Sequence, residues 1–188
     1  RWAKARGIQV TAEVTPHHLL LTDDLASSYD PVFKVNPPLR TELDVMALRE
    51  ALADGTIDIV ATDHAPHPVE SKECEWSAAA FGMLGLETAA SIAQLVLIDS
   101  GASNWQRFSE VMSVNPASIS RLESQGQTLE VGNVANIAVI NPSTTRVISG
   151  GGASKSSNQP FEGIELPGTV IHTIYRGTFS VRDSKLAK

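Results

Sequence analysis

Cysteine is almost missing from this sequence. Cys74 stands alone in 188 residues, which excludes an intrachain disulfide and a zinc site built from thiolates. A single cysteine fits a reducing, cytoplasmic setting. Clusters of positive charge are missing too. There are 15 Lys and Arg against 21 Asp and Glu, a net charge of −6, which argues against nucleic acid or an anionic membrane surface as a partner. No apolar run approaches the ~18 residues of a membrane span, and no signal-peptide pattern opens the chain. Internal repeats and a glycine-rich phosphate loop are also absent. So is an initiator Met. Arg1–Gly7 instead reads as the last turns of an amphipathic helix closed by a glycine cap, so the chain is expected to open in the middle of a larger fold, as a fragment.

What is present is the composition of a globular protein, 42% hydrophobic and 19% charged. The length allows one good-sized core but falls short of the ~250 residues of a complete eight-stranded barrel. The chain is organised around the stretch from Ile57 to His67. Ile57, Ile59, Val60 and Ala61 suit a strand covered on both faces. Asp63 stands where that strand ends, and Pro66 stops the ladder from continuing. In parallel barrels the C-terminal strand ends carry the chemistry. Asp63, followed closely by His64 and His67, is therefore a candidate metal ligand or general base. The competing reading is an Asp that caps the next helix beside surface histidines.

Taken in order, Ile8 to Val14 alternates apolar and polar residues, the pattern of a strand, and ends at Thr15-Pro16-His17-His18. Neighbouring side chains on an extended chain point opposite ways, so at most one of these histidines could face a given site. A structural role near the site is the expectation for both. Asn36 lies in an ordered loop, Val35-Asn36-Pro37-Pro38, where an amide suits a carboxylate or amide-like substrate but also suits a plain turn before proline. Thr41 caps a helix with Asp44 as its capping-box partner, Val45, Leu48 and Leu52 form the buried stripe, and Gly55 ends it. Helix, strand, loop, helix and strand in alternation is an α/β signature.

After His67 comes a polar, irregular stretch, then Phe81-Gly82-Met83-Leu84-Gly85, whose glycines permit close backbone approach to a substrate or merely tight packing. Leu86 to Ile98 reads as a well-buried helix. Asn104 and Asn115-Pro116 begin shorter ones. From about residue 124 the texture turns to short β-like runs: Val134–Ile140, Arg146–Ile148, and a hairpin, Val170–Tyr175 with Thr178–Val181, turning at Arg176-Gly177. His172, inside the hairpin, reads as structural. Gly150 to Pro160 has a linker's composition, or is a loop ordered only against the rest of the fold.

Several strings together closely resemble the dihydroorotases of the amidohydrolase superfamily. They are Glu13-Val14-Thr15-Pro16-His17-His18-Leu19-Leu20-Leu21, Asn36-Pro37-Pro38-Leu39-Arg40, Asp63-His64-Ala65-Pro66-His67, Phe81-Gly82 and the run Ser154–Gly163. Asn136, where the family usually has Asp, is a minor departure. The resemblance implies the C-terminal part of a (β/α)8 barrel over residues 1–123, followed by strands of a small composite β-sandwich over 124–188. It implies reversible, zinc-dependent hydrolysis of dihydroorotate to N-carbamoyl-L-aspartate in pyrimidine biosynthesis, with one or two zinc ions. By the same resemblance Asp63 binds one metal and acts as general acid/base, while Asn36, His67 and the Phe81-Gly82 backbone contact the substrate. His17 and His18 match no metal ligand. The family's remaining ligands lie upstream of this chain, so the isolated polypeptide is expected to be inactive without the N-terminal half. A homo-oligomer or a pyrimidine-pathway complex is a further expected partner. The alternatives are another cyclic amidohydrolase, similar to dihydropyrimidinase or allantoinase, and a non-catalytic scaffold subunit.

Overall fold

The stretch leading to Asp63 forms a parallel strand. In the structure, a computed structural model describing residues 1–150 and 152–187, β1 (Glu13–Val14) pairs with β2 (Ile59–Val60) in parallel. The Asp58 N–H donates to Ala12 O and the Ala61 N–H to Val14 O, at 2.9 and 3.0 Å, which extends the pairing by a residue on either side. Ile57 and Val60 are buried. The strand expected from Ile8 is shorter than its alternation suggests. Among the described residues only Ala12–Val14 of this run meet a neighbouring strand, and Ile8 and Val10 stay exposed. Arg1–Gly7 is likewise less than a full helix. Lys4–Arg6 makes one 3-10 turn, with Gly7 in the left-handed region at φ 70° closing it through its N–H to Lys4 O.

Between β1 and β2 the chain makes the crossover helix α1 (Glu42–Ala53). Its start is set by chemistry visible in the sequence: Thr41 Oγ1 accepts from the Asp44 N–H while the Asp44 carboxylate accepts from the Thr41 N–H. Val45 and Leu52 are fully buried, each worth about 1.5–3 kcal/mol against exposure. Gly55, at φ 90°, follows the end of the helix. The Arg49 guanidinium reaches back to Leu19 O at 2.7 Å and ties α1 to the turn after β1.

The buried helix expected over 86–98 begins later, because Leu86 and Glu87 are exposed. α2 covers Ala89–Gln94 and continues with wider π-type turns over Leu95–Asp99. α3 (Trp105–Ser109) is capped by Asn104, whose Oδ1 accepts from the Arg107 N–H. It passes through π-type turns into α4 (Asn115–Ile119). Asn115 does more than start a helix. Its amide donates to Asp58 O at 2.9 Å and steadies β2 from below.

The last third forms an antiparallel sheet in the order β3 (Ile137–Val147), β4 (Glu165–Tyr175), β5 (Thr178–Arg182), β6 (Lys185–Leu186). The two short runs expected at 134–140 and 146–148 are one strand, interrupted by a register shift between Asn141 and Thr145. The β4–β5 hairpin turns at Arg176-Gly177, both at positive φ, and His172 has the structural place expected of it, with Nδ1 accepting from the Asp183 N–H. Residues 148–166 return to the helical part. Ile148, Phe161 and Leu166 are buried in the same cluster as Leu19, Leu52 and Met83. Within the run 150–160, whose composition suggests a linker, residues 152–160 are ordered against the rest of the fold, with the Ala153 N–H on Glu87 and the Asn158 amide on Ala65 O and Gly82 O. Gly151 within it lies outside the described residues.

Candidate active site

The C-terminal ends of β1 and β2 point the same way, and three further segments gather there. Past β2, His64 pairs in parallel with Met83, so the Phe81–Gly85 stretch runs alongside the Asp63 segment. The Ala65 N–H donates to Met83 O at 2.9 Å. Gly82 is where the two approach most closely. At φ 129° its backbone suits glycine, and a Cβ there would sit 2.5 Å from Ala65 Cβ and 3.1 Å from His67 Nε2.

Buried polar side chains lock these segments together. Asn158, 4% exposed, donates from Nδ2 to Ala65 O (2.9 Å) and Gly82 O (3.2 Å), and its Oδ1 accepts from the His67 N–H (3.3 Å). Its own carbonyl takes the Leu84 N–H at 3.0 Å. His18, buried, bridges the turn after β1 to the Asn36 loop. Nε2 contacts Pro37 O and Pro38 O, each at 3.1 Å, so it carries the proton, and Nδ1 then accepts from Thr15 Oγ1 at 2.7 Å. Lys34 and Lys72 are buried as well, with their ammonium groups on backbone carbonyls of the 76–80 stretch and, for Lys72, also on Lys34 O. Burial, reinforced by the neighbouring Lys34 charge, lowers the Lys72 pKa to about 8.

Of the residues expected to do chemistry, Asp63 and Asn36 are left uncommitted, while His67 and the Phe81-Gly82 backbone are partly engaged and Gly82 has both its backbone groups bonded. Asp63 is exposed, and among the described residues nothing hydrogen-bonds its carboxylate. Its backbone sits at φ 47°, a left-handed conformation uncommon for a residue with a side chain. Such outliers persist where the surroundings dictate them and concentrate at functional sites. The Asn36 amide is exposed and equally free among the described residues. His67 donates from Nε2 to Phe81 O at 2.8 Å, which leaves Nδ1 without a hydrogen bond among the described residues. The Phe81 ring stands out, 56% exposed. Of the Phe81-Gly82 backbone, Gly82 N–H is spent on Lys34 O, and both carbonyls are spent on His67 and Asn158. Phe81 N–H is the donor left over among the described residues.

Metal chemistry fits these residues poorly. No three His, Cys, Asp or Glu side chains among the described residues lie together in a way that could hold an ion. His64 is no ligand through Nδ1, which accepts from the Gly85 N–H at 3.1 Å and holds the start of the helix region. His18 has both nitrogens engaged. His17 is 1% exposed, its Nε2 is buried without a partner, and burial, with the His18 charge as a second cause, lowers its pKa to about 3. A cavity of about 640 Å³ between α2 and the sheet includes none of Asn36, Asp63, His67, Phe81 or Gly82.

Residues 5–179 match the amidohydrolase family. The chain belongs to that family. Among known amidohydrolase relatives it is 59% identical to a dihydroorotase of Streptomyces coelicolor and 52% identical to a dihydroorotase of Mycobacterium tuberculosis, in each case over 99% of this chain and 44% of the relative. The chain thus spans less than half the length of the relatives it matches. Its structure resembles that of an L-hydantoinase (dihydropyrimidinase) from Arthrobacter aurescens, with a TM-score of 0.88 and 31% identity over all of this chain and 42% of the other. A dihydropyrimidinase from Brevibacillus agri aligns with a TM-score of 0.88 at 26% identity, over 99% of this chain and 42% of its own. The α/β fold, the C-terminal part of a barrel followed by an antiparallel sheet, accords with that likeness. No helix among the described residues is long and apolar enough to cross a membrane.

Asp63, Asn36, His67, Phe81 and Gly82 are legible in the sequence, and His18 has the structural place near the site expected of it, but Lys34, Lys72 and Asn158, which hold the same segments, do not stand out there. Lys34 is a lone cation in the apolar run Val32-Phe33-Lys34-Val35, and that misfit was the available signal. Asn158 lies in one of the recognisable strings but carries no local pattern of its own.

Proposed function

We propose that this chain is the C-terminal part of a dihydroorotase, dividing at about residue 124 into a barrel part and a β-rich part. The whole protein hydrolyses the ring amide of dihydroorotate to N-carbamoyl-L-aspartate, reversibly, in pyrimidine biosynthesis in the cytoplasm. The observation that carries the reading is the 59% and 52% identity to dihydroorotases across nearly the whole chain. It is supported by a site whose backbone is locked and whose reactive groups are free.

Asp63 is the general acid/base. Its unbonded carboxylate takes a proton from the attacking water as the C–O bond forms, then delivers it to the ring nitrogen as the C–N bond breaks. Asn36 and the Phe81 N–H orient the ring and its carboxylate. His67, with Nε2 fixed on Phe81 O, presents Nδ1, and it donates to the substrate's carboxylate only as the imidazolium. Zinc, one or two ions, is the cofactor the family resemblance implies. Asp63 is its single candidate ligand here, and a catalytic zinc needs about three protein ligands, so the others come from outside this chain. The 188-residue polypeptide by itself is accordingly inactive.

The second reading, a hydantoinase-like hydrolase of another cyclic amide, draws on the structural likeness. Assaying the full-length protein with dihydroorotate, hydantoin, dihydrouracil and allantoin separates the two. Turnover of dihydroorotate at least about 100-fold faster than of the others is expected. A preference for hydantoin or dihydrouracil would replace the first reading with the second.

A further inference from the structure

The substrate contacts proposed above sit on segments far apart in sequence, Asn36 on one and Phe81–Gly82 on another, and one buried residue joins them. Lys34 is 7% exposed, yet no carboxylate among the described residues pairs with it. Its Nζ donates to Trp76 O at 2.6 Å, Ala79 O at 2.7 Å and Ser77 O at 3.2 Å, and lies 4.6 Å from the centre of the Phe81 ring. An ammonium has three protons, and three carbonyls converge on it, so every donor is used. Its backbone carbonyl accepts the Gly82 N–H at 2.9 Å, and Lys72 Nζ lies 3.4 Å from the same oxygen. Asn36 follows two residues later.

We propose that Lys34 is a positioning residue for the substrate site. Its ammonium gathers the carbonyls of the 76–79 turn while its own carbonyl fixes Gly82, setting the distance between the Asn36 amide and the free Phe81 N–H. A buried cation is costly to desolvate, and a core that needed only packing would be served by an apolar side chain of the same length. The charge answers a different need: it holds an irregular, polar loop whose carbonyls have no ladder to join. Cation–ring contact with Phe81 adds to the hold. The role is binding geometry, since the contacts of the Lys34 ammonium among the described residues go to Trp76, Ser77, Ala79 and the Phe81 ring and not to Asp63.

The inference rests on reading Asn36 and Phe81–Gly82 as substrate contacts, so the test has two independent readouts in the full-length protein. In Lys34→Met, amide hydrogen exchange over 75–82 should speed at least tenfold while exchange in α1 and β3–β5 is unchanged. KM for dihydroorotate should rise about tenfold or more, with kcat falling less than threefold. Lys34→Arg keeps the charge but spreads its donors over a planar fork instead of sending three protons from one atom to three carbonyls, and it should shift KM the same way by about threefold. It serves if the Met variant does not fold. An unchanged KM in both variants, or exchange that rises throughout the protein, overturns the proposal. If the wild-type protein does not turn over dihydroorotate, the functional reading fails, and unchanged exchange over 75–82 would then sink the positioning role separately.

Discussion

In the C-terminal sheet, β3 and β4 pair over most of their eleven-residue lengths, β4 and β5 form a tight hairpin, and the joining hydrogen bonds run from backbone to backbone. Around Asp63 the parallel ladder is two residues long. There the chain is held by side chains that bond backbone groups: His18 on Pro37 and Pro38, Lys34 on the 76–79 turn, Lys72 on Ala80, and Asn158 on Ala65 and Gly82. A ladder spreads its stabilisation over many equivalent bonds. A set of struts concentrates it in single residues, each leaving several buried polar groups unpaired if lost. The second arrangement suits a site, because loops held in this way keep their outward-facing groups free of partners.

Breaking a strut should therefore cost far more than trimming the sheet. Asn158→Ala strands two carbonyls and the His67 N–H, and should destabilise the full-length protein by about 3 kcal/mol in chemical denaturation. Thr145→Val, which removes an exposed bond to Glu165 in the sheet, should stay within about 0.5 kcal/mol. Equal losses would contradict the contrast.

Two glycines sharpen it. Gly82→Ala meets Ala65 and the His67 ring, and kcat/KM should fall about 100-fold, a loss of about 2.7 kcal/mol in transition-state binding. Gly177→Ala, at φ 81° in the hairpin turn with open space around it, should cost about 1 kcal/mol of stability and leave kcat/KM unchanged.

Acid should find the site region first. The His17 pKa is lowered to about 3 from an ordinary 6.5, so the unfolded chain binds the extra proton between those values and stability falls as pH drops through 6.5. The loss should reach about 2 kcal/mol by pH 5. His17→Phe should flatten that part of the stability–pH curve. An unaltered slope in the variant would assign the acid sensitivity elsewhere.

The same contrast explains what could be read in advance. The α1 cap was legible because Thr41 and Asp44 are three residues apart and answer each other, and the hairpin because Arg176-Gly177 sits between two β-branched runs. Asp63 stood out as a carboxylate at the end of an apolar strand. These signals are local. The struts are not: Lys34 meets its carbonyls 42 to 45 residues on, and Asn158 meets His67 across 91. Nor could alternation alone tell that Ile8–Thr11 would find no ladder partner among the described residues, since pairing depends on the neighbour. The linker-like composition of 150–160 misleads for a related reason. Its small polar residues are placed by contacts to Glu87, Ala65 and Gly82 that lie far away in the chain.

In the proposed reaction Asp63 moves the proton that opens dihydroorotate, on a backbone held by its neighbours. The most direct measurement is the rate of dihydroorotate hydrolysis by the full-length protein and its Asp63→Asn variant, with zinc supplied to both and bound zinc quantified. A fall of at least about 10³-fold in kcat is expected, with the folded structure retained. Turnover by Asp63→Asn within tenfold of the wild-type rate would contradict it.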